Sequence, residues 1–265
     1  MSSEQTIAHR PARNSLRLGV YWQETKYELI KLVREPMYPS SVIGFPIIFF
    51  LLFGLSNGHV MLHGQPFTRY LVASYSCFGS IGASLLAIGG NIAYERGHGW
   101  LELKRAFPMP PAAFLVSKLA SSLVFCVAVT VILLIVAAAV AHVAVTPAQA
   151  LSLIGANLAG GLVFASLGVL LGLWLAPATA PGMLYMIYLP LSLCGGLWMP
   201  IDLLPNWLQA IAPLLPSYYC AQLAYAALDY PTAVPMPQLW LMLLLYAGVC
   251  AAVAGYLFRR QEARR

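Results

Sequence analysis

Leu123-Val124-Phe125-Cys126-Val127-Ala128-Val129-Thr130-Val131-Ile132-Leu133-Leu134-Ile135-Val136-Ala137-Ala138-Ala139-Val140-Ala141 carries no charge and is apolar on every face of a helix. A segment with no water-facing side belongs inside hydrocarbon. Closed β-barrels also satisfy a backbone in lipid, but their strands are short and alternate apolar with polar residues, which this run does not do. The stretch reads as a membrane-spanning helix. A hydrocarbon core about 30 Å thick requires roughly 20 apolar residues per helix. Six stretches qualify, near Tyr38–Leu55, Tyr70–Ala93, Phe114–Val140, Ala150–Leu173, Gly182–Trp198 and Leu239–Phe258. Composition agrees: 60 % of residues are hydrophobic and 9 % charged, against about a quarter charged in globular chains.

The net charge of +6 is decided by where the cations sit. Of the 15 Lys and Arg residues, 14 fall in three places. Arg10, Arg13, Arg17, Lys26, Lys31 and Arg34 precede the first span; Arg96, Lys104, Arg105 and Lys118 lie between the second and third; Arg259, Arg260, Arg264 and Arg265 follow the sixth. Arg69 is the exception. The positive-inside rule puts those three places in the cytoplasm, and two basic ends on one side demand an even number of spans. Because these charges border hydrocarbon, they argue against a nucleic-acid face. Cys77, Cys126, Cys194 and Cys250 lie within spans and Cys220 outside them, with no paired spacing and no Cys/His cluster; they read as packing residues. The first apolar run starts too far in, and is too long, for a cleavable signal.

Three regions follow: residues 1–36 as a cytoplasmic arm and interfacial helix, 37–258 as a six-helix membrane domain, and 259–265 as a basic tail. In residues 18–35, Glu24, Glu28, Lys31 and Glu35 fall on one narrow helical face, with Leu18, Trp22, Leu29, Leu32 and Val33 opposite. This pattern predicts an amphipathic helix along the membrane surface. Pro36 ends it, because proline disfavours helical geometry in the residue before it. Residues 199–237 are apolar but broken by Pro200, Pro205, Pro213 and Pro216. Short helices lying in or dipping into the outer leaflet are expected there, with Trp198, Trp207, Tyr218 and Tyr219 at interface depth.

Chemistry is conspicuous by where it is missing. No Asp, Glu, Lys, Arg or His falls at the middle of a span, which argues against ion-coupled transport, proton pumping and intramembrane acid–base catalysis. A pore would show polar or charged rings, and none is visible. No G-x-x-x-x-G-K-[ST] loop is present, so the chain has no phosphate cradle of its own. Catalytic, cofactor and metal residues are therefore expected to be none. Ser76, Ser80 and Ser84, and Gly168 with Gly172, permit close helix approach within the subunit or across a dimer. Phe49, Phe53, Tyr75, Phe78, Tyr185 and Tyr188 are candidates for an apolar substrate path, with packing the competing role.

One charged knot stands between apolar spans: Tyr94-Glu95-Arg96-Gly97-His98-Gly99-Trp100-Leu101-Glu102-Leu103-Lys104-Arg105-Ala106-Phe107-Pro108. It resembles the E-R-x-x-G-[TW]-L-E-x-L-x-x-x-P segment that follows the second span in permease subunits of type-2 ATP-binding-cassette exporters, with Trp100 in place of the more usual Thr, as in drug-export-like members. Gly195-Gly196-Leu197-Trp198-Met199-Pro200, continuing through Leu203-Leu204-Pro205-Asn206-Trp207-Leu208, is similar to the same family's signature after the fifth span. The resemblance implies an all-α polytopic permease with both termini cytoplasmic, in a plasma membrane of the bacterial inner-membrane kind. It further implies two permease copies, identical or paired, in contact with membrane lipid and joined to two ABC ATP-binding subunits that hold ATP and Mg. Glu95, Arg96, Gly97, Gly99, Trp100, Leu101, Glu102, Arg105 and Pro108 then form the element that couples to the ATPase. On this resemblance Glu95 and Glu102 orient it, Gly97 and Gly99 permit the sharp exit from the span, and Pro108 breaks it. The absence of buried charge favours a lipophilic or amphipathic cargo, drug-like or lipid-like; a lipid-linked glycan, or a passive facilitator, is the alternative.

Overall fold

The computed structural model describes residues 13–62, 64–100 and 111–263. Helix α1 (Arg13–Arg34) precedes α2 (Met37–Gly54), and a small antiparallel hairpin, β1 (Met61–Leu62) with β2 (Gln65–Pro66), follows. The long helices α3 (Phe67–Gly97), α4 (Pro111–Ala141) and α5 (Pro147–Trp174) come next, then the shorter α6 (Ala180–Cys194). Two short helices, α7 (Asn206–Ile211) and α8 (Pro216–Ala227), lead into α9 (Met236–Ala263). The chain is all-α apart from the hairpin.

Each boundary has a local cause. Pro36 stops α1 as expected, and Pro39 and Pro46 lie inside α2. Proline lacks the amide that would bond four residues back and crowds that carbonyl. α2 answers with wide π-helical turns at Ser40–Gly44 and Phe50–Gly54, while the Ser40 hydroxyl donates to the Pro36 carbonyl at 2.6 Å. Side-chain donors of this kind keep a broken helix tolerable in lipid. At the start of α5, Thr146 and Gln149 form a reciprocal capping box, which satisfies amides that the first turn leaves orphaned.

α3 is the axis of the bundle. Its most apolar window is wholly buried, whereas the corresponding window of α9 is 17 % buried. The sequence shows why: Ser74, Ser76, Gly79, Ser80, Gly82, Ala83 and Ser84 give α3 a thin profile that neighbours can approach. A Cβ on Gly172 would sit 2.8 Å from the Gly89 carbonyl oxygen, so the Gly168/Gly172 pair packs α5 on α3 inside one subunit. The serine stripe likewise faces inward: Ser84 meets Cys126 at 3.4 Å, and Ser76 accepts from the buried Asn157, which also donates to Thr130.

Among the described residues, five helices, α2 to α5 and α9, are long and apolar enough to cross a membrane. The expected fifth span, Gly182–Trp198, is a helix of 15 residues that ends at Cys194, about 22 Å at 1.5 Å per residue. Gly196 has φ +79° and Leu197 donates to the Ser192 carbonyl, the left-handed closure that ends helices. Beyond it, α7 lies on the surface with Trp207 exposed, as expected. In α8, Tyr218, Tyr219, Cys220 and Tyr225 are buried against the bundle. Ser217 donates to the Leu191 carbonyl, and the Tyr70 and Tyr225 hydroxyls lie 2.8 Å apart, each within hydrogen-bond distance of the Gly196 carbonyl. α8 is thus inserted against α3, α5 and α6.

Candidate functional site

Two carboxylates and two ammonium groups meet where α1, the end of α3 and the start of α4 converge. Lys118 Nζ lies 2.7 Å from Glu28 Oε1 and 3.0 Å from Glu95 Oε1, and Lys31 Nζ lies 3.2 Å from the same Glu95 oxygen. Glu28 and Lys31 reach the cluster together because residues three apart share a helix face. Lys118 is 2 % exposed, Glu28 5 % and Glu95 1 %. Charges so far from water persist only when matched, and among the described residues two negative groups face two positive ones. Lys118 also lies 4.9 Å from the centre of the Phe114 ring. The cluster ties three elements into one unit.

α1 meets the bundle through its charged side, a packing that the amphipathic pattern left unspecified. Its carboxylate face turns into the protein, with Glu28 and Leu32 buried, while Trp22, Tyr27, Ile30 and Val33 are exposed. The bundle offers Lys118 to Glu28, and a membrane surface offers hydrocarbon to the aromatic side.

Arg96, the next residue after Glu95, points to the other side. Its guanidinium donates to the carbonyls of Leu173 and Leu175 at the end of α5. Those carbonyls stand at the carboxyl end of α5, and a cation suits the negative end of a helix dipole. Adjacent residues thus fasten the end of α3 to α1 and α4 on one side and to α5 on the other. The two glycines that follow do different work. A Cβ on Gly97 would fall 2.6 Å from Pro177 Cβ, so this glycine permits contact with the turn between α5 and α6. Gly99 has φ +71°, the left-handed geometry that turns the chain out of the helix.

Trp100 is 47 % exposed and meets the Tyr94 ring edge-on at 6.1 Å, while His98 lies against the other side of Tyr94 at 4.1 Å. Among the described residues of the segment this aromatic patch is exposed, whereas Glu95 is buried. Leu101, Glu102, Arg105 and Pro108 lie outside the described residues. Beside the patch, Lys31, Glu35, Tyr38, Asn91, Trp100 and Tyr185 line a groove of about 620 Å³.

The proposed path residues divide. Phe49, Tyr75, Phe78 and Tyr188 form a packed knot with Trp198, with Phe49 5.4 Å from Trp198 and Phe78 stacked on Tyr188 at 4.8 Å. Phe53 is exposed at its edge, and Tyr185 lines the groove while donating to Ser41. Sequence reasoning did not single out Glu28 and Lys118 as partners. A signal existed, because a lysine opening an otherwise apolar span needs a buried counter-charge.

The family profile of the ABC-2 type transporter matches residues 20–228, a range that includes all four charges of the cluster. The "Putative transport permease YvfS" of Bacillus subtilis (strain 168) is 28 % identical over 248 residues, covering 93 % of this chain and 100 % of that protein.

Proposed function

The chain belongs to the ABC-2 type transporter family, whose permeases are the membrane component rather than the ATPase, and from that premise we propose that it carries a lipophilic or amphipathic cargo, drug-like or lipid-like, out of the cytoplasm. A separate ABC ATP-binding subunit drives it, and a second permease copy completes the pathway. The observation that supports this reading is the buried Glu28–Lys118–Glu95–Lys31 cluster. It stands directly behind the Gly97–Trp100 exit, so force applied at that exit is delivered to α1, α3 and α4 together instead of bending one helix end. Through Arg96 and Gly97 it also reaches α5 and the turn before α6. ATP binding by the partner would then bias a rigid-body equilibrium between two arrangements of these helices.

Inside-out vesicles containing this permease and its ATPase test the direction and the cargo class together. A fluorescently labelled phospholipid and a lipophilic dye are expected to accumulate on the lumenal side only when ATP is supplied. ATP hydrolysis without accumulation of either probe would contradict export of lipophilic cargo.

A further inference from the structure

Arg69 is the one basic residue that stands apart from the three cationic clusters of the sequence, and its surroundings give it a use. It lies in the first turn of α3, at the end of the bundle away from the four-charge cluster. Its Nε and Nη2 atoms are buried and make no hydrogen bond. The closest carboxylate, Asp229, is 4.0 Å from Nη2, is 69 % exposed, and already accepts from the Gln149 amide. A guanidinium does not lose its charge in a protein, so those buried donors call for an acceptor.

Thr68, beside it, is 5 % exposed. Both residues line a cavity of about 390 Å³, with Pro66, Gly58 and His142 also on its walls. The same turn is the amino end of a 31-residue helix that has no side-chain cap and no acidic residue in its first turn. The Phe67 amide at this end donates to the Val60 carbonyl, and the turn presents the positive pole of the helix dipole. His142 holds φ +50° just past the end of α4, where the Val143 amide bonds the Ala137 carbonyl. That closure usually employs glycine, yet here it carries an imidazole on the cavity wall.

We propose that Thr68, Arg69 and His142, with the amino end of α3, bind a phosphate-type oxyanion. Arg69 supplies the forked donors that match two oxygens at once, Thr68 a hydroxyl donor, and His142 a third polar edge. Such a group is available on a phospholipid headgroup or as a free anion.

The full-length permease in neutral maltoside detergent provides the test. Its thermal unfolding is followed while phosphatidylglycerol, inorganic phosphate, or sodium chloride of matched ionic strength is titrated in. A saturable upward shift is expected with a phosphate-type ligand and not with chloride. Arg69→Gln should weaken half-saturation roughly tenfold, Thr68→Val should weaken it in the same direction, and Asp229→Asn should retain the response. A response to phosphatidylglycerol alone makes the lipid headgroup the source; a response to both makes the free oxyanion sufficient. The proposal is overturned if chloride reproduces the shift, or if Thr68→Val and Arg69→Gln both titrate like the wild type; Thr68→Val keeps the test decisive should the arginine variant not fold. No ATPase takes part, so failure here leaves the export reading standing.

Discussion

Lys118 is the residue on which the basic end of the bundle turns. It contacts both buried carboxylates, so replacing it with methionine leaves Glu28 and Glu95 facing each other without their shared counter-ion. Removing one partner of a buried ionic group costs about 3–5 kcal/mol. Lys31 sits at the margin with its side chain 31 % exposed, and solvent screening reduces the loss for Lys31→Met to about 1 kcal/mol or less. Thermal unfolding followed with a maleimide dye, which reacts as buried Cys77, Cys126 and Cys220 become accessible, should rank the variants in that order. Equal melting temperatures for the two would contradict the cluster's geometry. The residue types were legible in the sequence, including Glu95 as a polar anchor. Their pairing was not, because Glu28, Glu95 and Lys118 come from elements distant in the chain, and no local pattern states which helix ends meet.

At the scale of elements, periodicity located helices well and their surroundings less well. The α1 pattern correctly separated a charged face from an apolar one, but amphipathicity alone does not say which face meets protein. Where the protein supplies buried counter-charges, the charged face packs inward and the apolar face stays outward. A nitroxide on Val33→Cys, with half-exposed Cys194 and Cys250 replaced by alanine, should be more accessible to lipid-soluble oxygen than to a water-soluble nickel chelate. The opposite ratio would contradict the placement of this face against lipid. The end of α6 and the burial of α8 escaped for a related reason. Gly195-Gly196 reads as tolerable within an apolar run, and only the packing of Ser217 against the helix end, where a Cβ on Gly195 would lie 2.5 Å from Ser217 Oγ, shows why the helix must stop there. Proline spacing did identify the broken, short-helix character of residues 199–237.

For the whole molecule, composition and the three basic clusters were sufficient to specify an all-α, multi-pass membrane chain, and two motifs pointed to its family. Hydropathy could not rank the spans by position, since the central α3 and the peripheral α9 have mean hydropathies of 1.7 and 1.9; small residues, not greasiness, mark the axis. The central claim is that the four-charge cluster makes the exit of α3 rigid enough for an external ATPase to move the bundle. The direct measurement is the amount of labelled phospholipid transported per ATP hydrolysed by the reconstituted complex. Glu95→Gln, which keeps the side chain's shape but removes its charge, is predicted to lower that ratio roughly tenfold while the complex still assembles and hydrolyses ATP, and Glu102→Ala is predicted to act in the same direction. An unchanged ratio in Glu95→Gln, with the variant folded and bound to its ATPase, would contradict the claim.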